Sequence, residues 1–82
     1  MKITAKKQGR GAVFSIPSKK AADGNKLMGQ ITAEGFGSDP HNPPSTTIDP
    51  LKPKTTIEAD WERGKPHASI DDALKAVGDV LK

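Results

Sequence analysis

The chain has no cysteine, no tyrosine and only three aromatic residues, Phe14, Phe36 and Trp61, among its 82. Without cysteine there is no disulfide staple, no thiolate zinc site and no cysteine nucleophile. Small secreted domains usually need such staples, so the composition points to a reducing, cytoplasmic setting. Long apolar runs are missing as well, and none approaches the roughly 18 residues that a membrane-spanning helix requires. The opening MKITAKKQGR carries charge with no apolar stretch behind it, so it does not read as a secretory leader. Histidine is scarce, with His41 and His67 alone. One imidazole near one or two carboxylates, as in Asp39 with His41 or Asp60 and Glu62 with His67, is too small a ligand set for a metal. Ser45, Thr46 and Thr47 follow His41 on a flexible stretch, with no acid in register to orient a base. These absences together predict a chain that is not an enzyme and takes no metal or cofactor.

The apolar fraction is 33%, low for a globular domain. A chain this short buries about 60% of its unfolded surface, so the core must be thin. Each aromatic is therefore expected to anchor it. The expected organisation is a single domain over 1–82 with an internal proline-rich loop at 37–54.

Charge is unevenly placed. Residues 1–26 hold seven basic residues, Lys2, Lys6, Lys7, Arg10, Lys19, Lys20 and Lys26, against the single acid Asp23. Residues 27–82 hold six basic and nine acidic ones, so a front of +6 precedes a back of −3. A basic front suits an anionic partner, although lysine also serves simply to solubilise exposed strands and turns. The seven basic residues are the candidate partner-binding surface.

KITAKK alternates, with Ile3 and Ala5 on one side and Lys2, Thr4 and Lys6 on the other, as a half-buried strand does. QGRG supplies glycines for a hairpin turn. AVFSIPS resumes the alternation with Ala12, Phe14 and Ile16 inward, and Pro17 closes it. KKAADGNK allows one helical turn over Lys19 to Ala22 or a tight turn at ADGN; the turn is preferred, because KLMGQITAEGFG reads as a third strand with Leu27, Gly29, Ile31 and Ala33 on one face. GFGSDPHNPPSTTIDPLKPK, with five prolines, resists helix and central strand. It reads as an extended loop, pinned by Phe36 and by Ile48 or Leu51. KTTIEADWERG alternates again, with Ile57, Ala59 and Trp61 inward and Glu58, Asp60 and Glu62 outward. SIDDALKAVGDVLK shows a helix: Ser69 as N-cap, Asp71 and Asp72 in the first turn, and one stripe of Ile70, Ala73, Leu74, Val77, Val80 and Leu81.

The predicted fold class is α+β: a small four-stranded, mostly antiparallel sheet in the order β-β-β-long loop-β-α, with one C-terminal helix on one face. The free face is expected to present Lys2, Thr4, Lys6, Val13, Ser15, Met28, Gln30 and Thr32. It has no aromatic for base stacking, so nucleic-acid binding there would be phosphate-led and salt-sensitive. The expected function is a non-catalytic interaction module that binds a protein, or a protein–nucleic acid complex, through basic N-terminal hairpins and the proline-rich loop. Direct, weakly sequence-specific nucleic-acid binding is the alternative. Compact cysteine-free chains of this kind resemble phage and mobile-element accessory or inhibitor proteins. The outer strands also leave a homodimer open, since an edge strand can pair with a second copy.

Overall fold

A computed structural model describes residues 2–37 and 40–81. Six elements follow one another: β1 (Thr4–Gln8), β2 (Gly11–Ile16), α1 (Ala21–Ala33), β3 (Ser45–Asp49), β4 (Lys54–Asp60) and α2 (Ile70–Val77). The four strands form one antiparallel sheet in the order β1-β2-β4-β3. The fold class is the expected small α+β sheet with a C-terminal helix. The residues that build it differ from expectation in the middle of the chain.

The first hairpin forms as the alternation predicts. Gln8 pairs with Gly11, so Gly9 and Arg10 make a two-residue turn, and Gly9 takes a φ of 59°. The Arg10 carbonyl accepts hydrogen bonds from the backbone N–H groups of Trp61 (3.1 Å) and Glu62 (2.9 Å). The turn is thereby tied to the end of β4. Ala12, Phe14 and Ile16 all face the core, and β2 stops at Ile16, just before Pro17.

The segment expected to be a turn and third strand is instead the helix α1. Leu27 and Ile31 satisfy both an alternating and an i, i+4 pattern, so period alone did not separate the two states. Tertiary contact decides for helix. Gly24, Leu27 and Ile31 are buried along one stripe, and a Cβ on Gly24 would stand 2.9 Å from Thr55 Cγ2. Only glycine lets the helix lie that close to the sheet. Ser18 prepares its entry: its hydroxyl donates to Asp23 Oδ2 (2.7 Å) and accepts from the Lys20 N–H (3.1 Å), while its carbonyl accepts from Thr55 Oγ1. At the other end Gly35, with a φ of 101°, donates to the Thr32 carbonyl, and the Phe36 N–H donates to that of Ile31. This is a Schellman stop, and it turns Phe36 back into the core.

The fourth strand comes from inside the proline-rich stretch. Pro43 and Pro44 precede β3 and Pro50 follows it, so no proline interrupts its ladder with β4. Asp49 Oδ1 accepts from the N–H groups of Leu51 (2.9 Å) and Lys52 (3.3 Å), which folds residues 50–53 into the turn joining β3 to β4. Ile48 is half-buried, but Leu51 is 92% exposed and pins nothing.

Both helices cover the same sheet face, α1 over β4 and β3 and α2 against β1. Beneath them Phe36 stacks on Trp61 at 5.2 Å and meets Phe14 at 5.7 Å, so all three aromatics share one cluster. Ser69 caps α2 by accepting from the Asp72 N–H at 3.2 Å. The helix ends at Val77 rather than running on toward the C-terminus, and Val80 and Leu81 still pack against the core from the turn beyond it.

Candidate functional site: the free sheet face and its β3 edge

With both helices on one side, no helix among the described residues covers the other face of the sheet. Its residues follow from register and alternation: Thr4, Lys6 and Gln8 from β1, Val13 and Ser15 from β2, Thr56, Glu58 and Asp60 from β4, and Ser45, Thr47 and Asp49 from β3. Met28, Gln30 and Thr32, expected here, lie on α1 instead, because the segment that carries them is helical. Four hydroxyls cross the sheet in one row, Thr4, Ser15, Thr56 and Thr47, each opposite the next. The neighbouring row runs Lys6, Val13, Glu58, Ser45. The face is thus polar and mixed in charge, not basic throughout.

The seven candidate basic residues do not form one patch. Lys6 stands on the free face. Lys7 points to the opposite side and pairs with Glu62 Oε1 at 2.9 Å, and Lys65 reaches the other Glu62 oxygen at 3.2 Å. These two cations hold the Glu62 carboxyl below its ordinary value of 4.5, the Lys7 hydrogen bond being the larger cause. Arg10 lies at the hairpin tip. Lys19 and Lys20 lie at the other end of the sheet, after β2, and Lys26 is exposed on α1. Lys2 stands just before β1 and, with Thr4, Ser15, Ile16, Pro17 and Lys54, lines a largely apolar hollow of about 280 Å³. The carboxylate that takes Lys7 and Lys65 is Glu62, just past the end of β4.

The histidines behave differently from each other. His41 is exposed. His67 is half-buried: its ring lies 5.8 Å from that of Phe36, and Nε2 is 3.1 Å from Glu34 Oε2. It joins the C-terminus of α1 to the approach to α2. Among the described residues no cluster of three or more histidine and acidic side chains could hold a metal. No helix there is long and apolar enough to cross a membrane.

At one corner of the free face, β2, β4, the start of β3 and the incoming Asn42–Pro43 segment line a half-open cavity of about 300 Å³. Gly11 opposes Asp60 there, so no side chain fills the floor beside that carboxylate. Sequence reading put Glu58, Asp60 and Glu62 together on an outer face; Glu58 is exposed there, but Asp60 is buried and Glu62 pairs with Lys7 past the end of β4, and the cavity was not foreseen. Its walls come from residues 8–13, 42–45 and 58–60, which only the strand order 1-2-4-3 brings together.

The sheet has two edges, and they differ. β1 carries Lys6 and Lys7, the charges that usually discourage further strand pairing. β3 reads Ser-Thr-Thr-Ile-Asp, uncharged until its last residue and rich in β-branched side chains. Leu51, the exposed large hydrophobic among the described residues, projects from the turn at its end. Comparison with protein-family models, with curated proteins and with solved structures finds no match.

Proposed function

We propose that this chain is a non-catalytic protein-binding module that takes up an extended segment of a partner, free or within a protein–nucleic acid complex, as a fifth strand along β3. The unguarded β3 edge, ending in the exposed Leu51, carries this reading. Strand addition draws affinity from main-chain hydrogen bonds and specificity from side chains on alternate positions. The turn Pro50–Pro53 is stiffened by its two prolines, so ordering it on a partner costs less entropy than ordering a glycine-rich turn. The mixed-charge free face beside β3 gives a partner strand both signs to read.

The test is quantitative affinity capture from cell extract with mass-spectrometric readout, comparing the wild type with Leu51→Asp, Thr47→Lys and the double reversal Lys6→Glu/Lys7→Glu. The expected result is a specific partner retained by the wild type and depleted about tenfold or more by Leu51→Asp and by Thr47→Lys, both exposed positions. Retention unchanged by both edge variants would refute the reading.

Nucleic-acid binding stands as the second reading. Lys2 and Lys54, which line one hollow, favour it as the basic residues that the fold groups together. Fluorescence anisotropy with labelled mixed-sequence duplex and single strands at about 50 and 200 mM salt separates the two, because a phosphate-led complex weakens steeply over that range.

A further inference from the structure

The cavity at the corner of the free face holds a carboxylate whose bonding is incomplete. The Asp60 side chain is 1% exposed. Its Oδ1 accepts from the Arg63 backbone N–H at 3.3 Å. Its Oδ2 is buried with no hydrogen-bond partner. The nearby cation, Arg10 Nη2, stands 3.9 Å off, beyond hydrogen-bond length, on a side chain 79% exposed. A buried carboxylate oxygen without a donor is a costly arrangement, and a ligand that brings positive charge and N–H groups relieves it.

The surroundings narrow the ligand. Glu58, two residues back on the same strand face, sets a second carboxylate on the wall. Asn42 and Ser45 add neutral polar groups, and Pro43 and Val13 add apolar surface. A guanidinium fits this set better than an ammonium. It is planar, it presents five donors that can serve two carboxylates at once, and it is less strongly hydrated, so it enters a confined site at lower cost.

We propose that this cavity receives an arginine side chain of the partner strand bound along β3, which deepens the reading above and rests on it. Ser45, the first residue of β3, lies directly opposite Glu58. A partner strand beside β3 is two strand spacings, about 10 Å, from β4. An extended arginine and a glutamate span that gap between them, and the small Ser45 side chain leaves the path open. Arg10, loosely placed and mostly exposed, swings aside when the guanidinium arrives.

The test uses the isolated chain, labelled with ¹⁵N, and Nα-acetyl-arginine amide as the probe, with the uncharged citrulline analogue as control. The expected result is saturable amide shifts at Gly11, Val13, Glu58 and Asp60 with the arginine compound and none with citrulline. Asp60→Asn should weaken binding about tenfold. Glu58→Gln, at an exposed position, should weaken it severalfold and covers the case in which Asp60→Asn fails to fold. Arg10→Ala should tighten it by removing the competing cation. Equal shifts with citrulline, or no saturable shift, would overturn the inference while leaving strand capture on β3 in place. Weaker binding in Arg10→Ala, with acetate moving the same amides, would make this an anion site and overturn it too. A saturable arginine site combined with partner capture indifferent to Leu51→Asp and Thr47→Lys would overturn its assignment to a partner strand.

Discussion

Phe36 sits where the end of α1, the end of β4 and the approach to α2 converge, against Phe14, Trp61 and His67. Truncating it removes the centre of the aromatic cluster. Phe36→Ala should cost about 3–5 kcal/mol, a large share of a stability in the range of about 5–15 kcal/mol. Urea unfolding followed by Trp61 fluorescence measures this directly, and a change under 1 kcal/mol would contradict the packing described. The residue after it is equally constrained, since Gly37 has a φ of 69° and a Cβ there would overlap the Pro44 ring. Glu62 governs part of the acid response. Its folded pKa is depressed by Lys7 first and Lys65 second, so its contribution is present above the unfolded value near 4.5 and lost as pH falls through the lower folded value. A carboxyl titration by NMR should place its midpoint below 4.5, and Lys7→Met should move it upward. Glu62→Gln should flatten the acid limb of the stability profile, and an unchanged limb would refute this account. The anchoring role of the aromatics was legible, because a thin core leaves large side chains no other favourable place. The Lys7–Glu62 pair was not, because it joins one strand to the turn after another.

Two glycines in α1 distinguish the helix from the strand that alternation suggested. Gly29 is exposed with nothing near its missing Cβ, whereas a Cβ on Gly24 would meet Thr55 Cγ2 at 2.9 Å. Gly29→Ala should therefore stabilise the protein by about 1 kcal/mol. Gly24→Ala should destabilise it despite the same gain in helix propensity, because the helix must then lift off the sheet. Thermal melts of the two variants decide the matter, and opposite signs are the expected outcome. The end of α1 is marked by Glu-Gly-Phe, a glycine before an apolar residue that folds back, but the alternating reading ran a strand straight through it. Its start was obscured by Asp23-Gly24-Asn25, which locally favours a turn. β3 was obscured in a similar way. Two Thr-Thr-Ile runs flank an Asp-Pro turn, a hairpin pattern, yet the surrounding prolines suggested a loop. All of those prolines fall outside the strand itself.

For the molecule as a whole, the uneven charge along the chain does not become one basic surface. The fold sends Arg10 to one end of the sheet and Lys19 and Lys20 to the other, and consumes Lys7 in a pair with Glu62. Any polyanion contact should then involve only a few phosphates, with Lys2 and Lys54 as the grouped pair. The slope of log K against log salt for duplex DNA should be no steeper than about −2, given roughly −0.9 per phosphate neutralised. A slope near −5 would demand a continuous basic surface and refute this layout. The same topology leaves one edge carrying lysines and the other uncharged up to its last residue, and the proposed strand addition at β3 relies on that asymmetry.

The sequence by itself determined the α+β class, the first hairpin, β4, the capped C-terminal helix and the three aromatic anchors. Those rest on local alternation, turn chemistry and capping, which act over a few residues. Only the tertiary structure decided that residues 21–33 coil into a helix, that Ser45–Asp49 joins the sheet at its edge, and that Asp60, Glu58 and Arg10 surround one cavity. Each of these depends on what a segment meets across the fold. Gly24 against Thr55, β3 against β4 and Gly11 opposite Asp60 are pairings between residues far apart in the chain, which no local pattern encodes.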